Sequence, residues 1–288
     1  MNLLLSMPLP ISKKKLIEQK LRLIKSGEQG EKDAAYFINF DLAKSENWAV
    51  IHDLRIEDDG RVAQIDHLLI NRLFDIYVLE SKHFSNGVKI TSDGEFLIIR
   101  DNKYLSTESP IEQNKRHIIV LKQIIEKQDI MPKRLGISIK PAFYNYVLIS
   151  PKSRVIRPSS DVFDTKNVIK ADTLRNAIDK RVDKASTIST LGAVTKFSST
   201  ETLMQIARSL AALHKPLRID YRKRFGIIEM GTKPNPEKPV AAKKPLRHYC
   251  DNCKKPITKK AAQFCLSNGQ RFGTNVYCIN CQNSFPRK

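Results

Sequence analysis

Apolar residues recur at helical spacing over residues 13–26, where Ile17, Leu21 and Ile24 share a face, and again over 28–41, where Ala34, Phe37 and Ile38 do. The spacing predicts two helices ahead of the first strand. From Trp48 the chain turns to β-branched and apolar runs, 48–54, 62–70, 74–81, 88–90 and 95–100, punctuated by Gly60, Asn71, Gly87 and Gly94. These predict a mostly antiparallel meander. Pro110 suits the first turn of a helix reaching about residue 127, with Ile111, Ile118, Leu121 and Ile125 on one face. A strand over 143–149 lies between Pro141 and Pro151, and a helix is expected over 172–184. Ser198 and Glu201 form a capping-box pattern for a helix over 199–213 that turns Leu203, Ile206, Leu210 and Leu213 inward. Helices and strands mix in one domain, an α/β (α+β) class.

Residues 231–247 hold Pro234, Pro236, Pro239 and Pro245 among lysines, a composition that suits an extended linker. The chain is thus expected to divide into an N-terminal helix (1–26), a core (27–130), an α/β extension of it (131–230), the linker (231–247) and a small module (248–288). Charge adds a partner class. The 288 residues carry 50 Lys+Arg against 30 Asp+Glu, a formal +20, and the last stretch from Ala241 has ten basic residues and one acid. This excess favours a polyanion, either nucleic acid or an acidic membrane surface. No run of about 18 apolar residues predicts a membrane span, and the first lysines follow the short N-terminal apolar run, so no signal peptide is expected. Five cysteines, four of them in C-x-x-C pairs, suit a reducing cytoplasm and a metal site better than disulfides.

The stretch IDHLLINRLFDIYVLESK, residues 65–82, reads as two strands around a turn. Both are apolar on both faces, through Leu68, Leu69, Ile70, Ile76, Tyr77, Val78 and Leu79, which is the pattern of central strands. Charges there need a reason. Glu80 and Lys82, two apart, project from one side of their strand, and a turn centred near Leu73 would set Asp66 directly across from Glu80. Two carboxylates that close repel unless a cation or proton lies between them. Hard oxygen ligands suit Mg²⁺ or Mn²⁺, and a nearby lysine can orient or deprotonate water or neutralise charge on a phosphate. An E-x-K on a solvated strand face is the plainer reading of the same residues.

These motifs resemble the nuclease-related domain family, NERD, itself similar to the PD-(D/E)xK restriction-endonuclease-like superfamily. The matching residues are Gly30-Glu31, the I-D-H of Ile65-Asp66-His67, the E-x-K of Glu80-Ser81-Lys82, and Pro110 with Gln113, together spanning about residues 27–130. The resemblance implies a restriction-endonuclease-like mixed sheet flanked by helices. It implies that Asp66 and Glu80 bind Mg²⁺ or Mn²⁺, that Lys82 positions the water, that Glu31 supports the metal from the first helix, and that Gln113 lines the site. His67 and His83 are expected as neighbours and not ligands, and Trp48, Phe37 and Phe40 as core.

Cys250, Cys253, Cys278 and Cys281 form two knuckles that can close a tetrahedral four-cysteine zinc site with no open position, hence a structural one. The module resembles a zinc ribbon, with the spacer drawn out as a long β-hairpin over 261–277 and Cys265 packed inside it. Lys243, Lys244, Arg247, Lys254, Lys255, Lys259, Lys260 and Arg271 surround it and are expected to contact phosphates without reading sequence. The function this predicts is a divalent-metal-dependent nuclease acting on nucleic acid, DNA first, with a zinc-ribbon tail. A non-catalytic DNA-binding scaffold and a zinc-ribbon protein adaptor are the alternatives.

Overall fold

The computed structural model describes residues 1–101, 103–188, 198–217, 219–227 and 248–285. Two units are distinguished, Met1–Ile227 and Ile228–Lys288. The expected linker at 231–247 lies outside the described residues.

In the first unit a short helix α1 (Asn2–Leu5) precedes α2 (Ile11–Leu42). The two expected helices are therefore one, because Gly27 and Gly30 do not break it. There follow β1 (Trp48–Asp58), β2 (Arg61–Asn71), β3 (Asp75–Lys82), β4 (Val88–Ile90), β5 (Phe96–Arg100), β6 (Lys103–Thr107) and α3 (Pro110–Lys127). Then come β7 (Lys133–Arg134), β8 (Ile137–Ser138), β9 (Ala142–Ile149), β10 (Val155–Ile156), β11 (Val168–Lys170), α4 (Leu174–Ile188), α5 (Thr200–Ala212) and α6 (Tyr221–Arg224).

The main sheet runs β1-β2-β3-β9-β11, and a second runs β10-β4-β5-β6. The first three strands are antiparallel, but β9 joins β3 in parallel and β11 joins β9 in parallel, so the sheet is mixed and the meander covers only part of it. α3 lies in the crossover that returns the chain from the second sheet to the first. It packs Ile118, Leu121, Ile124 and Ile125, with Leu203, Ile206 and Leu210 of α5, on the face made by Leu68, Ile70, Ile76 and Val78. The opposite face, with Leu69, Tyr77 and Leu79, receives Ala34, Ile38 and Leu42 of α2 and Leu174 and Ile178 of α4. Both faces being covered is why these strands are continuously apolar.

The segment expected as an extension, 131–230, supplies β9, which lies inside the main sheet beside β3. α5 starts one residue later than the capping pattern suggested: Ser199, not Ser198, accepts from the Thr202 amide, while the Ser198 amide donates to Arg72 O. Phe37 and Trp48 pack at the α2 face, but Phe40 is 79% exposed and is not core. No described helix is long and apolar enough to cross a membrane.

In the second unit β12 (His248–Tyr249) pairs with β13 (Pro256–Ile257), followed by helices α7 (Lys259–Ser267), α8 (Gly269–Phe272) and α9 (Ile279–Gln282). The expected long hairpin over 261–277 is thus replaced by helix. Thr258 Oγ1 caps α7 by accepting from the Ala261 amide, and Ala262 and Cys265 fall on its buried side.

Candidate functional site

The turn between β2 and β3 fixes everything that follows. Asn71 Oδ1 accepts from the amides of Leu73 and Asp75 at 3.0 and 2.9 Å, and Phe74 takes the left-handed φ of 61° that closes the turn. The resulting ladder pairs Ile70 with Ile76 and His67 with Leu79. One further step places Asp66 across from Glu80. Asp66 Oδ2 accepts from the Ser81 amide at 2.7 Å, tying the acid to the neighbouring strand end.

Lys82 Nζ donates to Glu80 Oε1 at 2.6 Å and to Gln113 Oε1 at 3.3 Å, which brings three of the expected residues together. α3 delivers Gln113 because Ser109 caps it, Pro110 starts it, and buried Asn114 clamps it to the sheet. Asn114 Nδ2 donates to Val78 O at 2.6 Å and Asn145 Oδ1 at 2.8 Å, with Tyr146 O at 3.3 Å. From the other side, α2 passes the end of β3 at Gly30. A Cβ there would lie 2.8 Å from the Cβ of His83, so only glycine lets the helix come this close and set Glu31 beside the strand ends.

The electrostatics are those of a crowded acidic centre. Burial, then the Glu80 charge, push Asp66 up to about 7 against the lowering pull of the Ser81 amide and Lys82. Glu80 is raised by burial despite Lys82. Glu31 is raised to about 7 by desolvation and by Asp66, Asp53 and Glu28. Glu31 is exposed, so solvent still reaches it. Glu80 Oε2 is buried without a hydrogen-bond partner among the described residues.

Two residues here escape the sequence reading. Asp53 sits between the pairs His52↔His67 and Leu54↔Ile65, level with Asp66, with a left-handed φ of 55° and Oδ1 accepting from Gln64 Nε2 at 2.5 Å. An acid following the apolar run 48–51 and ahead of Leu54 was the available signal. His117, one helical turn beyond Gln113, places Nδ1 3.8 Å from Glu80 Oε2. Burial, then Arg116 and Lys82, lower it to about 4. His52 and His67 lie on the adjoining strands, and His83 just past the end of β3. Buried His67 contacts Ser81 Oγ through Nε2 at 2.9 Å and His52 Nδ1 through Nδ1 at 2.7 Å, and burial depresses both rings. His83 Nδ1 is buried beside Gly30.

In the second unit the Sγ atoms of Cys250, Cys253, Cys278 and Cys281 all lie within 4.8 Å of one another, an arrangement that can hold a zinc ion. Four thiolates cannot coexist there uncompensated: Cys281 is pushed up to about 12, first by Cys278. Asn252 Nδ2 donates to Cys281 Sγ at 3.6 Å. Cys265 stands apart, buried with Phe272 and Tyr277, its Sγ accepting from the Tyr277 amide and from Gln282 Nε2. Lys254, Lys255, Lys259 and Lys260 are exposed. The Arg271 guanidinium donates through Nη2 to Gln282 O and Phe285 O. Lys243, Lys244 and Arg247 lie outside the described residues.

Comparison with curated proteins found no match, and comparison with solved structures found none. Residues 26–150, which contain Glu31, Asp66, Glu80, Lys82 and Gln113, match the family model described as the nuclease-related domain, NERD.

Proposed function

We propose that the protein is a divalent-metal-dependent nuclease that hydrolyses phosphodiester bonds in nucleic acid, with DNA as its first substrate. One observation carries the reading: Glu31, Asp66 and Glu80 converge with Lys82 and Gln113 at the strand ends, while one buried oxygen of Glu80 is left without a partner among the described residues. An acid held protonated or repelled by its neighbours is what a site built for a cation looks like before the cation is counted.

Asp66 and Glu80 would hold Mg²⁺ or Mn²⁺, with Glu31 supporting from α2. Bound there, the ion would polarise a phosphoryl oxygen and offset charge developing on the phosphate. Lys82 has three ammonium donors and engages two acceptors, so one remains to orient a water or to meet a phosphate oxygen. Gln113 fixes where that ammonium sits. As the water oxygen adds to phosphorus it releases a proton to solvent, the ester P–O bond breaks, and the leaving oxygen takes up a proton from solvent. The four exposed lysines of the cysteine unit, with zinc as its structural ion, favour phosphate contact that tolerates any sequence and weakens with salt.

The test is cleavage of supercoiled DNA, linear DNA and RNA by the full chain in Mg²⁺ or Mn²⁺, beside Glu80→Ala and Lys82→Ala variants of unchanged folding and zinc content. Each substitution is expected to slow cleavage by at least about a hundredfold. Wild type that binds DNA yet never cuts would replace this reading with the scaffold alternative, and variants that cut equally well would remove these residues from the chemistry.

A further inference from the structure

Glu80 Oε2 and His117 Nδ1 are both buried, both without a hydrogen-bond partner among the described residues, and face one another at 3.8 Å. Glu80 is 2% exposed and His117 8%. Leaving two such atoms unsatisfied is costly, and a fold does not ordinarily sustain it without something to fill the gap. The separation is too long for a direct hydrogen bond.

Neither atom is free to drift. Glu80's other oxygen is fixed by Lys82 at 2.6 Å. His117 rides on α3, which Asn114 pins to Val78 O and Asn145 Oδ1. Gln113, one turn earlier on the same face, is held to the same lysine. The pair is thus an oxygen-and-nitrogen fork held in place from both strand and helix. Two ligands each about 2.0–2.2 Å from one ion can lie up to about 4.3 Å apart, so 3.8 Å admits a shared ion without moving strand or helix.

We propose that His117 is a metal ligand of this site, binding through Nδ1 the same divalent ion as Glu80 Oε2, and that its nitrogen selects a first-row transition-metal ion over Mg²⁺. The inference rests on the reading of the strand-end acids as a metal site and names the ligand that sets its metal preference. An all-oxygen site would take Mg²⁺ or Mn²⁺ with little distinction, whereas an imidazole adds affinity along the transition series and almost none for Mg²⁺.

The probe is Mn²⁺ titrated into the full chain with its zinc in place, read by electron paramagnetic resonance and electron spin echo modulation, with Glu80→Gln locating the signal at this site. Wild type is expected to show a nitrogen coupling from one imidazole that disappears with Glu80→Gln. His117→Gln, whose folding is checked by its thermal transition, is expected to keep Mn²⁺ without the coupling, bind it about tenfold more weakly, and bring the Mn²⁺ to Mg²⁺ preference down by a similar factor. Glu80-dependent Mn²⁺ without nitrogen coupling in wild type overturns the role of His117 and leaves the metal site standing, and that measurement needs no His117 variant. No bound Mn²⁺ in wild type overturns both.

Discussion

The strand-end acids and the cysteine knuckles stand in opposite relation to the structure around them. Asp66 and Glu80 are carried by strands whose two faces are covered by separate apolar clusters, one centred on Leu68, Ile70, Ile76 and Val78 and the other on Leu69, Tyr77 and Leu79. That core is large enough to force carboxylates together and raise their pKa values. In the second unit the buried cluster is little more than Cys250, Cys265, Phe272 and Tyr277. A core that small does not hold a fold alone. In one region the fold imposes strain on its charges; in the other a shared ion would let the charges make the fold. Removing charges should therefore relax the first and collapse the second.

The largest expected effect follows from the second half of that contrast. Structural zinc contributes on the order of 10 kcal/mol to domains of this kind. Stripping it from the full chain with a strong chelator, or substituting Cys253→Ser, should abolish hydrogen-exchange protection over 248–285 while β2 and β3 keep theirs. Protection that survives chelation would mean the small core suffices, and the comparison would lose one side.

How much of this was readable beforehand differs between the regions for physical reasons. The turn at Asn71 is local, so the register that sets Asp66 across from Glu80 could be counted from Leu73. The Pro110 helix was legible from its cap and its apolar stripe. What failed was non-local or lacked pattern. β6 carries almost no buried residue, so nothing in KYLST announced a strand. The parallel seat of β9 beside β3 is set by the α3 crossover, which periodicity does not encode. Nothing local marked Gly30 as a position of close approach, because the residue it meets, His83, lies fifty-odd positions away in the chain. The cysteine spacing pointed to a cluster that can hold a metal ion but not to the helices α7 and α8 that fill the interval. Asp53 and His117 join the acidic centre only after the fold brings them in.

Two substitutions of intermediate effect separate the scaffold of the acidic centre from its charges. Asn114→Ala leaves the carbonyls of Val78 and Tyr146 and the Asn145 amide oxygen without their donor in a buried position, at about 2–3 kcal/mol in urea unfolding. Gly30→Ala drives a Cβ to within 2.8 Å of His83 Cβ, and both belong to the main-chain frame, so α2 must shift at about 1–3 kcal/mol. The second should also displace Glu31 and weaken Mn²⁺ binding, measured by titration, whereas Gly27→Ala, with open space around its Cβ, should do neither. Equal effects at the two glycines would contradict the close approach.

The smallest effect has an unusual sign. Asp66 has its carboxyl raised from 3.8 to about 7 in the folded chain. Below about pH 4 folded and unfolded states are both protonated and the group contributes nothing. As pH rises from there the unfolded chain releases its proton first, so the raised group lowers stability progressively until about pH 7, beyond which the cost is constant. Asp66→Asn removes that cost while keeping an oxygen that can accept from the Ser81 amide. Without added divalent ions, its urea midpoint should match wild type near pH 4 and exceed it at about pH 8, by on the order of 1 kcal/mol after allowing for solvent around a half-buried group. Mn²⁺ should then narrow the gap by stabilising wild type alone. A variant that is less stable than wild type at both pH values would show that Asp66 is held for its hydrogen bond and not against its neighbours' charge, and the contrast between a strained site and a self-supporting cluster would no longer hold.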